Sequence, residues 1–498
     1  MLLQITCGFL FPPLIWIVWT YIKHLYDCLS YPQGPIPLPF IGNAHLLRKG
    51  EPYKELVNLG KIYGDVFGFS IGSIRYVVVN NLEGIKEVLI KKGSQFAGRP
   101  RLKLTISKAL SRGMNGLIMS DPSPHFRILR KLASSSLKIY AEGLDGMEKK
   151  AINEYSYLHK KLSTMNGKAV SLKRMIEFST LNIICTILFN HRYDENDQEF
   201  QDIIKYSNLS VRASSATSLI SSIPWLRFFP STASRNIYEI IRLRDPILKR
   251  KLQEHRSSYD ENNLRDVTDS LIKVSLDSAL ENNSHEKITD DNIEFLLNDF
   301  IIAGSETSSN TVLWFIVYML HWPEYQDKLY NEILKITSGN RYPCLSDRPM
   351  LHLMQAAIHE TLRLSSVAPL GVGHKAMESS SICGKPVPKG AFILTNLWSI
   401  HHDETHWNNA MSFYPERWLE KSGEFNLKLG EAYLPFSSGP RSCLGETLAK
   451  IELFVFISRL VKDYRFEKPT EEDLPNLKGE SGITRTPSEF KVMAIPRN

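Results

Sequence analysis

The sequence predicts a mainly α-helical protein with a small β domain, built as one large unit behind an amino-terminal membrane anchor. Three observations predict this fold class. The chain has 498 residues, of which 43% are hydrophobic and 23% charged, close to the averages of globular proteins. Apolar residues recur at helical spacing through most of the chain, whereas strand-like stretches are few and short. Residues 1–22 contain no Lys, Arg, Asp or Glu.

Charge and cysteine content exclude several classes of protein. The 60 Lys and Arg residues outnumber the 53 Asp and Glu residues by 7, a mild excess without a dense basic run, so nucleic-acid binding is disfavoured. The six cysteines form no C-x-x-C pair, which argues against a zinc ribbon or a thioredoxin-like motif. Because six cysteines in such a chain are sparse, we expect a reducing compartment rather than a disulfide scaffold.

Residues 1–22 have the length and composition of a transmembrane signal anchor. Pro12 and Pro13 interrupt the apolar run, which a membrane helix tolerates better than a soluble helix does. Lys23 and His24 follow directly, and the positive-inside rule then places the rest of the chain in the cytoplasm. The alternative is a cleaved signal peptide, but the run is too long and lacks a positive amino-terminal region.

Residues 23–44 form a basic and proline-rich hinge before the main domain, residues 45–498. Proline fixes φ and excludes helix, so we expect a stiff, extended connector that sets how the domain sits on the bilayer. The hinge contains the following prolines and glycine: Pro32, Gly34, Pro35, Pro37 and Pro39.

Local patterns within the main domain predict two strand-rich stretches and one loop. Residues 66–80 are rich in β-branched and aromatic side chains, and a shorter stretch of this kind lies near 391–395. Residues 254–287 are polar and charged, which predicts the end of a helix followed by a mobile loop. The run from His401 to His406 lacks the spacing of a metal-binding motif, and its charged surroundings indicate a surface position.

One long helix can be bounded from the sequence. Thr289 is a good N-cap, and Asp290 and Asp291 in the first turn would face the positive end of the helix dipole. The apolar run continues to about His321 and stops before Pro323. A helix of this length must cross most of a globular domain.

The middle of this helix carries residues that an apolar stretch does not need. Gly304, after Ala303, lowers the helix propensity, and Glu306 and Thr307 bring in polar groups. One interpretation is structural: Gly304 leaves a notch for a neighbouring element to pack into, and the hydroxyl groups bond to the backbone of the helix. The other is functional, with a local distortion that leaves a groove and offers a proton relay. The residues alone leave both open.

A later stretch places glycines and positive charge around a cysteine. Cys443 lies between Gly439 and Gly445, which let the backbone turn sharply and approach a flat partner. Arg441 can bond an anionic group beside a thiolate. A helix is expected over residues 446–460, and its amino-terminal dipole would lower the thiol pKa. A single thiolate suits a haem iron better than a zinc site; the alternative is a buried structural cysteine.

This stretch carries a family pattern. The motif F-x-x-G-x-R-x-C-x-G resembles the haem-binding signature of the cytochrome P-450 family, the haem-thiolate monooxygenases, at every fixed position. The resemblance implies the cytochrome P-450 fold, haem b as cofactor, Cys443 as the axial ligand of the haem iron, and O2 as co-substrate. It implies haem-binding roles for the other fixed residues: Phe436, Gly439, Arg441 and Gly445.

Further motifs follow the same family pattern in the same order. Glu360 and Arg363 match E-x-x-R, and Arg417 lies in the following P-E-R-W. In the family these residues form a structural charge network, which is costly to bury unless every charge is paired. Residues 303–308 match the oxygen-activating stretch of the family's long helix.

Two other positions match the family less fully. The family usually has W-x-x-x-R against a haem propionate; here Phe126 replaces the tryptophan and loses its N–H donor, while Arg130 keeps the charge. His374 stands where many relatives have a propionate-binding histidine after a proline, but Gly373 replaces that proline. The resemblance implies that Phe126, Arg130 and His374 contact the haem.

The resemblance also implies the chemistry and its partners. Glu306 and Thr307 would deliver protons to the bound oxygen, beside Ala303 and Gly304. No dinucleotide-binding fingerprint follows a predicted strand, so electrons are expected from NADPH through the NADPH-cytochrome P-450 reductase. We expect a single-pass protein of the endoplasmic reticulum membrane with a cytoplasmic catalytic domain. Alternatives of another class are a haem isomerase and a haem sensor, neither of which activates oxygen.

Longer strings resemble one group within the family, the animal steroid 17-alpha-hydroxylase/17,20-lyases. They imply a small steroid-like, lipophilic substrate, with a broad-specificity xenobiotic or aromatic monooxygenase as the alternative. Ser207, with Asn208 beside it, aligns with the asparagine that bonds the steroid A-ring oxygen in that group. The strings lie, besides 303–307, at residues 223–230, 367–369, 396–402 and 433–443.

Cytochrome b5 is a possible further partner, because the lyase step of that group depends on it. The group receives cytochrome b5 on two arginines. Arg348 matches the first, but His359 stands at the second. The loss of one permanent positive charge weighs against the lyase reaction.

Overall fold

The structure, a computed structural model, describes residues 17–47, 50–100, 115–142, 146–222, 232–280 and 287–497. Most of the predicted anchor, residues 1–16, and the string at 223–230 lie outside these ranges. Within the described ranges, no helix is both long enough and apolar enough to cross a membrane.

Helices make up most of the described chain, and the predicted mainly α-helical fold with a small β part is confirmed. The helices are α1 (residues 17–28), α2 (Pro52–Tyr63), α3 (Leu82–Lys86), α4 (Pro124–Glu142), α5 (Met147–Thr164), α6 (Lys173–Phe189), α7 (Gln198–Ser222), α8 (Thr232–Ser257), α9 (Val267–Leu280), α10 (Asp290–His321), α11 (Glu324–Thr337), α12 (His352–Ser365), α13 (Leu397–His401) and α14 (Glu446–Asp463). The strands are β1 (Val66–Ile71), β2 (Ile74–Val79), β3 (Ala169–Val170), β4 (His374–Lys375), β5 (Ser380–Ile382), β6 (Lys385–Val387), β7 (Phe392–Thr395), β8 (Tyr464–Glu467), β9 (Glu480–Ser481), β10 (Arg485–Thr486) and β11 (Val492–Pro496).

The described strands form small sheets at the edge of the helical body. The largest has the order β1-β2-β7-β4, in which β1 and β2 are an antiparallel hairpin and β2 pairs with β7 in parallel. The predicted strand-rich stretch at 66–80 is this hairpin, and the stretch near 391–395 is β7. The remaining strands pair as β3-β11-β8, β5-β6 and β9-β10.

Helix α10 runs through the centre of the molecule with the bounds that the sequence predicts. Thr289 caps it, because its hydroxyl accepts from the Asn292 amide, and the Asn292 side chain accepts from the Thr289 amide. Residues 308–320 are all buried, so this half of the helix is surrounded by protein on every side. Helices α6, α8, α12 and α14 pack against it.

The predicted loop at 254–287 is wrong in its middle part, where the chain forms α9. Asp266 starts this helix, since its carboxylate accepts from the Asp269 amide at 2.9 Å. His255, near the end of α8, pairs with the other Asp266 oxygen at 2.9 Å. Leu271 and Ile272 bury the apolar side of α9. The high polar content of this segment led to the prediction of a loop where the chain forms a short amphipathic helix.

Candidate active site

The loop before α14 is held in a fixed shape around Cys443. The Cys443 amide donates to the Phe436 carbonyl at 3.0 Å, and the Ser442 amide donates to the Gly439 carbonyl at 3.1 Å. Gly439 has φ of +72°, and a Cβ at this position would overlap the Leu89 carbonyl oxygen. Glycine is therefore required here for its conformation and for the close approach of another backbone segment.

Cys443 presents its side chain at an exposed position, although protein surrounds it closely. Burial raises the pKa of its thiol; the Gly445 amide and the Arg130 charge oppose this shift, and Glu446 adds to it. The net shift of the thiol pKa is therefore upward, although the Gly445 amide at the start of α14 acts in the direction expected of the helix terminus. Coordination to a metal ion deprotonates a thiol outright, so the raised pKa is compatible with a ligand role.

Three guanidinium groups gather near this loop, from Arg99, Arg130 and Arg441. Burial, together with the positive charges of Arg441 and Arg130, lowers the pKa of Arg99 to about 9. Burial and the nearby Arg130 lower the pKa of Arg441 to about 10. The Asp121 carboxylate opposes this repulsion, but it also pairs with Lys375 at 2.7 Å. The cluster therefore carries excess positive charge in a buried place.

Arg441 ties together two segments beside the thiolate loop. Its guanidinium donates to the carbonyls of Ala97 (2.9 Å) and Leu117 (3.2 Å), and also to the Ser120 carbonyl. The Phe126 ring lies 3.9 Å from the guanidinium carbon, measured to the ring centroid. Phe126 thus stacks on Arg441, which uses the ring area that phenylalanine keeps and does not need the missing N–H.

The other two predicted propionate contacts also lie at this cluster. Arg130 donates to the Ser442 carbonyl at 2.7 Å, so it holds the residue before Cys443. His374 is buried, and its Nδ1 lies 2.9 Å from the Phe96 carbonyl. Burial and the positive charge of Arg99 lower the pKa of His374 to about 3, so its ring is neutral at physiological pH.

The residues present fit haem b. An accessible cysteine beside a surplus of buried guanidinium groups offers one soft ligand for an iron and cationic donors for propionates. Arg99 was missed from the sequence, although it joins three segments through the carbonyls of Ile118, Val372 and Gly373. Its signal was weak: a single basic residue between Gly98 and Pro100, a pair that restricts the backbone.

Glu360, Arg363 and Arg417 come together in a buried network. Arg363 binds both Glu360 oxygens, at 2.9 and 2.8 Å, and Arg417 binds one of them at 3.1 Å. The Trp418 ring nitrogen and the Tyr414 amide donate to the same carboxylate at 3.0 Å each. Burial would raise the Glu360 pKa, but the two arginines outweigh it and hold the pKa below its usual value. A carboxylate with this many donors is a rigid structural anchor.

The glycine in α10 has a packing role. A Cβ on Gly304 would lie 2.6 Å from the Ile184 Cδ1 atom of α6, so a larger residue here would force the Ile184 side chain to move. The Thr307 hydroxyl donates to the Ala303 carbonyl at 2.7 Å, and α10 continues through this point without a break. These contacts match the packing interpretation of the motif, while the Ala303 side chain stays exposed.

Glu306 points away from Thr307, toward the β9–β10 hairpin. Its Oε1 accepts from the Thr484 hydroxyl at 2.8 Å, whereas its Oε2 is buried and has no hydrogen-bond partner in the described part of the chain. Glu306 lines a polar cavity of about 130 Å³ together with Glu177 and Asn208. Asn208 hydrogen-bonds to Glu177, whose pKa is raised mainly by burial.

The remaining predicted contacts have clear positions. Ser207 is buried, with its hydroxyl 3.0 Å from the Ser305 hydroxyl of α10. His359 is also buried, its Nδ1 lies 2.8 Å from the Gln355 carbonyl, and burial lowers its pKa to about 4. Arg348 lies near enough to repel a charge on His359. His401 is buried as well, so the expected surface position of the His401–His406 run is wrong at its start.

Comparison with known proteins decides the family. The family model described as Cytochrome P450 matches residues 32–494. The chain belongs to the cytochrome P450 family. This cytochrome P450 is a monooxygenase that uses haem b, O2, and electrons that come from NADPH through a reductase.

Individual relatives match this cytochrome P450 along almost its whole length. It is 36% identical to a steroid 17-alpha-hydroxylase/17,20 lyase of Rana dybowskii over 480 residues, which covers 96% of this chain and 92% of the relative. The human enzyme of the same name is 32% identical over 496 residues, 99% of this chain and 96% of the relative. A solved zebrafish cytochrome P450, whose title names progesterone, superposes with a TM-score of 0.80 at 32% identity and covers 89% of this chain and 99% of its own.

Proposed function

We propose that this cytochrome P450 hydroxylates a steroid-like, lipophilic substrate. One observation carries the proposal: relatives named as steroid 17-alpha-hydroxylase/17,20 lyases match more than nine-tenths of the chain at 32–36% identity. The structural neighbour whose title names progesterone supports the same substrate class. A broad-specificity xenobiotic enzyme is the alternative, and the substrate test below separates the two.

The chain's residues would hold the haem in the following way. Cys443 would supply the thiolate ligand and Arg99 and Arg441 would bind the propionates, while Arg130 holds the loop at Ser442. When bound, the haem supplies O2 activation, and a thiolate ligand favours cleavage of the O–O bond.

Polar side chains of α10 would supply protons for O2 activation. Thr307 already donates a hydrogen bond to the Ala303 carbonyl, so its hydroxyl can be oriented without moving the helix. Glu306 lines a polar cavity, and one of its carboxyl oxygens has no partner among the described residues, so it would be available to the proton path. Ser207 and Asn208 belong to the neighbouring helix α7, and we propose that they contact the substrate on this side of α10.

We also propose that the enzyme works at the endoplasmic reticulum membrane, with residues 1–22 as the anchor, 23–44 as the hinge and 45–498 as the cytoplasmic catalytic domain. Exposed apolar side chains at the end of the anchor and in the hinge support membrane contact: Val18, Trp19, Ile22, Tyr26, Leu29, Ile36, Leu38 and Phe40. The membrane-bound NADPH-cytochrome P-450 reductase would then meet the same surface of the bilayer.

A lyase step with cytochrome b5 is disfavoured by the position of His359. Its ring is 3% exposed and its pKa is lowered to about 4, so it offers a partner protein neither an accessible surface nor a charge at neutral pH. Arg348 alone would have to receive cytochrome b5. We therefore expect hydroxylation to dominate over C–C cleavage.

The test is turnover by membranes that carry the protein and the reductase. Progesterone, pregnenolone and a planar aromatic hydrocarbon are incubated with NADPH, and Cys443→Ala membranes serve as the blank. One regioselectively hydroxylated steroid is the expected result. Oxidation of the aromatic compound alone would assign the enzyme to xenobiotic metabolism. Conversion of a lipid peroxide without reductase, and no other product, would exclude oxygen activation.

Thr307 has a separate test within the same assay. Thr307→Ala is expected to uncouple NADPH oxidation from product and to raise peroxide, because the hydroxyl that would deliver protons for O2 activation is lost. Thr311→Ala is the matched control, since Thr311 makes the same backbone hydrogen bond one turn later, at 2.8 Å to the Thr307 carbonyl. Unchanged coupling in Thr307→Ala would remove Thr307 from the proton path.

A further inference from the structure

The segment of residues 115–121 lies between helix α10 and the cluster of three guanidinium groups. At its start, the Asn292 side chain of α10 donates to the Asn115 carbonyl at 3.1 Å. Two turns further along α10, the Asp299 carboxylate accepts the amides of residues 117–118 on one oxygen, at 2.6 and 2.9 Å. Helix α10 therefore holds the amide groups at the centre of this segment.

The carbonyl groups of the same segment bond to the arginines. Arg441 donates to the Leu117 carbonyl at 3.2 Å and also to the Ser120 carbonyl. Arg99 donates through its Nε to the Ile118 carbonyl at 3.0 Å. The segment thus has a carboxylate on its amide side and guanidinium groups on its carbonyl side.

One peptide group makes this connection directly. The Leu117 carbonyl and the Ile118 amide belong to the same peptide unit, and in a trans peptide these two groups point in opposite directions. The amide donates to Asp299, and the carbonyl accepts from Arg441. Arg441 lies two residues before Cys443 in the thiolate loop. A continuous chain of hydrogen bonds therefore runs from α10 through this peptide to the thiolate loop.

Asp299 is a strong acceptor at neutral pH. Burial raises its pKa to about 6, while the two amides and the Arg244 charge oppose the shift, so the carboxylate form predominates near pH 7.5. Hydrogen bonds to an ionised acceptor are shorter and stronger than those to a neutral one. Removal of this carboxylate would leave both amides without their acceptor and would release the peptide that bonds to Arg441.

The bonds of Arg441 set the direction of its whole guanidinium group. Its Nε, Nη1 and Nη2 atoms each donate to a carbonyl, of Ala97, Leu117 and Ser120 respectively. Because the guanidinium is planar and rigid, these bonds also fix the direction of the remaining N–H groups, which are the ones left to bind another carboxylate. A shift of the Leu117 carbonyl would therefore turn the donors that Arg441 offers to a ligand.

We propose that Asp299 is a positioning residue for the cofactor: it fixes the Leu117–Ile118 peptide, which holds Arg441 in the orientation that retains haem b. The proposal rests on the proposed function, in which Arg441 and Arg99 bind the propionates. Asp299 itself is bonded to main-chain amides, so it acts on the cofactor through the peptide and Arg441.

The first experiment measures how fast the full-length, haem-loaded protein releases haem to an excess of apomyoglobin, followed by absorbance. Asp299→Ala should release haem at least about tenfold faster, because two hydrogen bonds to a charged acceptor are lost. Asp299→Asn keeps the shape and a neutral acceptor, so its rate should rise by only about threefold. A wild-type rate in Asp299→Ala would overturn the proposal. If Asp299→Ala does not fold, a wild-type rate in Asp299→Asn would overturn it.

The matched control is Glu332→Ala. Glu332 of α11 also accepts two neighbouring amides, those of residues 353–354 at the start of α12, at 2.7 and 2.9 Å. This substitution removes the same number of bonds, so it should lower stability to a similar extent but leave haem release at the wild-type rate. Release that is as fast in Glu332→Ala as in Asp299→Ala would show general loosening of the fold and would overturn the proposal.

A double-mutant comparison tests whether Asp299 acts through Arg441. Arg441→Lys keeps the charge but cannot bond to three carbonyls at once, so it should release haem faster on its own. Asp299→Ala should then add less than about threefold, because the peptide no longer directs a guanidinium group. A full tenfold effect in both backgrounds would overturn the proposal.

These rates also separate the proposal from the proposed function on which it rests. An unchanged rate in Arg441→Lys would overturn the role of Arg441 in binding the propionates, and the role of Asp299 with it. Fast release in Arg441→Lys together with a wild-type rate in Asp299→Ala would overturn the role of Asp299 alone.

Discussion

Arg99 provides the sharpest test of how the protein binds its cofactor. Its guanidinium, 5% exposed, donates to three main-chain carbonyls, of Ile118, Val372 and Gly373, each at 3.0 Å. Arg99→Leu removes all three bonds and one charge of the cationic cluster. At about 1 kcal/mol of net stabilisation per bond, we expect a loss of about 3 kcal/mol in the free energy of unfolding.

The charge of Arg99 can be separated from its hydrogen bonds by a second variant. Arg99→Lys keeps a positive charge for the propionates but cannot form the planar fork that reaches three carbonyls. We therefore expect Arg99→Lys to lose about 1–2 kcal/mol of stability and to retain most of its haem, whereas Arg99→Leu loses both. Lys389→Leu, on an exposed turn, serves as the control.

The assay is the ratio of haem to protein after gel filtration, together with the urea midpoint of the purified protein. The loss of charge repulsion in Arg99→Leu works against the prediction, because the positive charges of Arg441 and Arg130 lower the pKa of Arg99. If this repulsion dominated, Arg99→Leu would be as stable as the wild type. Wild-type haem content in Arg99→Leu, or equal haem loss in Arg99→Leu and Arg99→Lys, would refute the assignment of the cluster to propionate binding.

Three further variants test other contacts. Asp299→Ala should lower the free energy of unfolding by about 2–3 kcal/mol in urea titrations, because its carboxylate accepts the amides of residues 117–118 at 2.6 and 2.9 Å and leaves two buried donors behind. Gly439→Ala should yield little haem-bound protein by absorbance, since φ of +72° and the overlap with the Leu89 carbonyl together cost more than about 2 kcal/mol. The wild type should lose stability as pH falls from 6.5 toward 4, because the folded pKa of His359, about 4, lies below the unfolded value. His359→Leu should remove up to about 3 kcal/mol of this loss in the free energy of unfolding. An unchanged dependence of stability on pH would contradict the buried neutral ring.

Local signals explain what the sequence predicted well. The bounds of α10 follow from Thr289 and its first-turn acids, which act over a few residues. The thiolate loop is a contiguous motif whose glycine is required by backbone geometry, as Gly439 shows. Such features need no knowledge of the distant chain, so their prediction does not depend on how the helices pack.

Features that depend on distant segments were harder to predict. Arg99 donates hydrogen bonds to the carbonyls of residues 372–373, far along the chain, and no local sequence pattern predicts that contact. Helix α9 is polar by composition, and only its packing reveals the buried side of Leu271 and Ile272. His401 is surrounded by charged neighbours in sequence, but its ring bonds to Ser366 inside the protein.

Three buried glutamates show how the protein assigns different tasks to one chemical group. Glu360 receives donors on both oxygens from Arg363, Arg417 and other groups, and its pKa is held low, so it stays charged and rigid. Glu306 and Glu452 each have one buried oxygen without a partner among the described residues. A fully paired carboxylate resists any change in its protonation, because every donor would lose its acceptor. Glu306 precedes Thr307 in the chain, and Glu452 lies beside Ser308, the residue that follows Thr307. The completeness of its hydrogen bonding thus distinguishes the structural Glu360 from the two glutamates near Thr307 and Ser308.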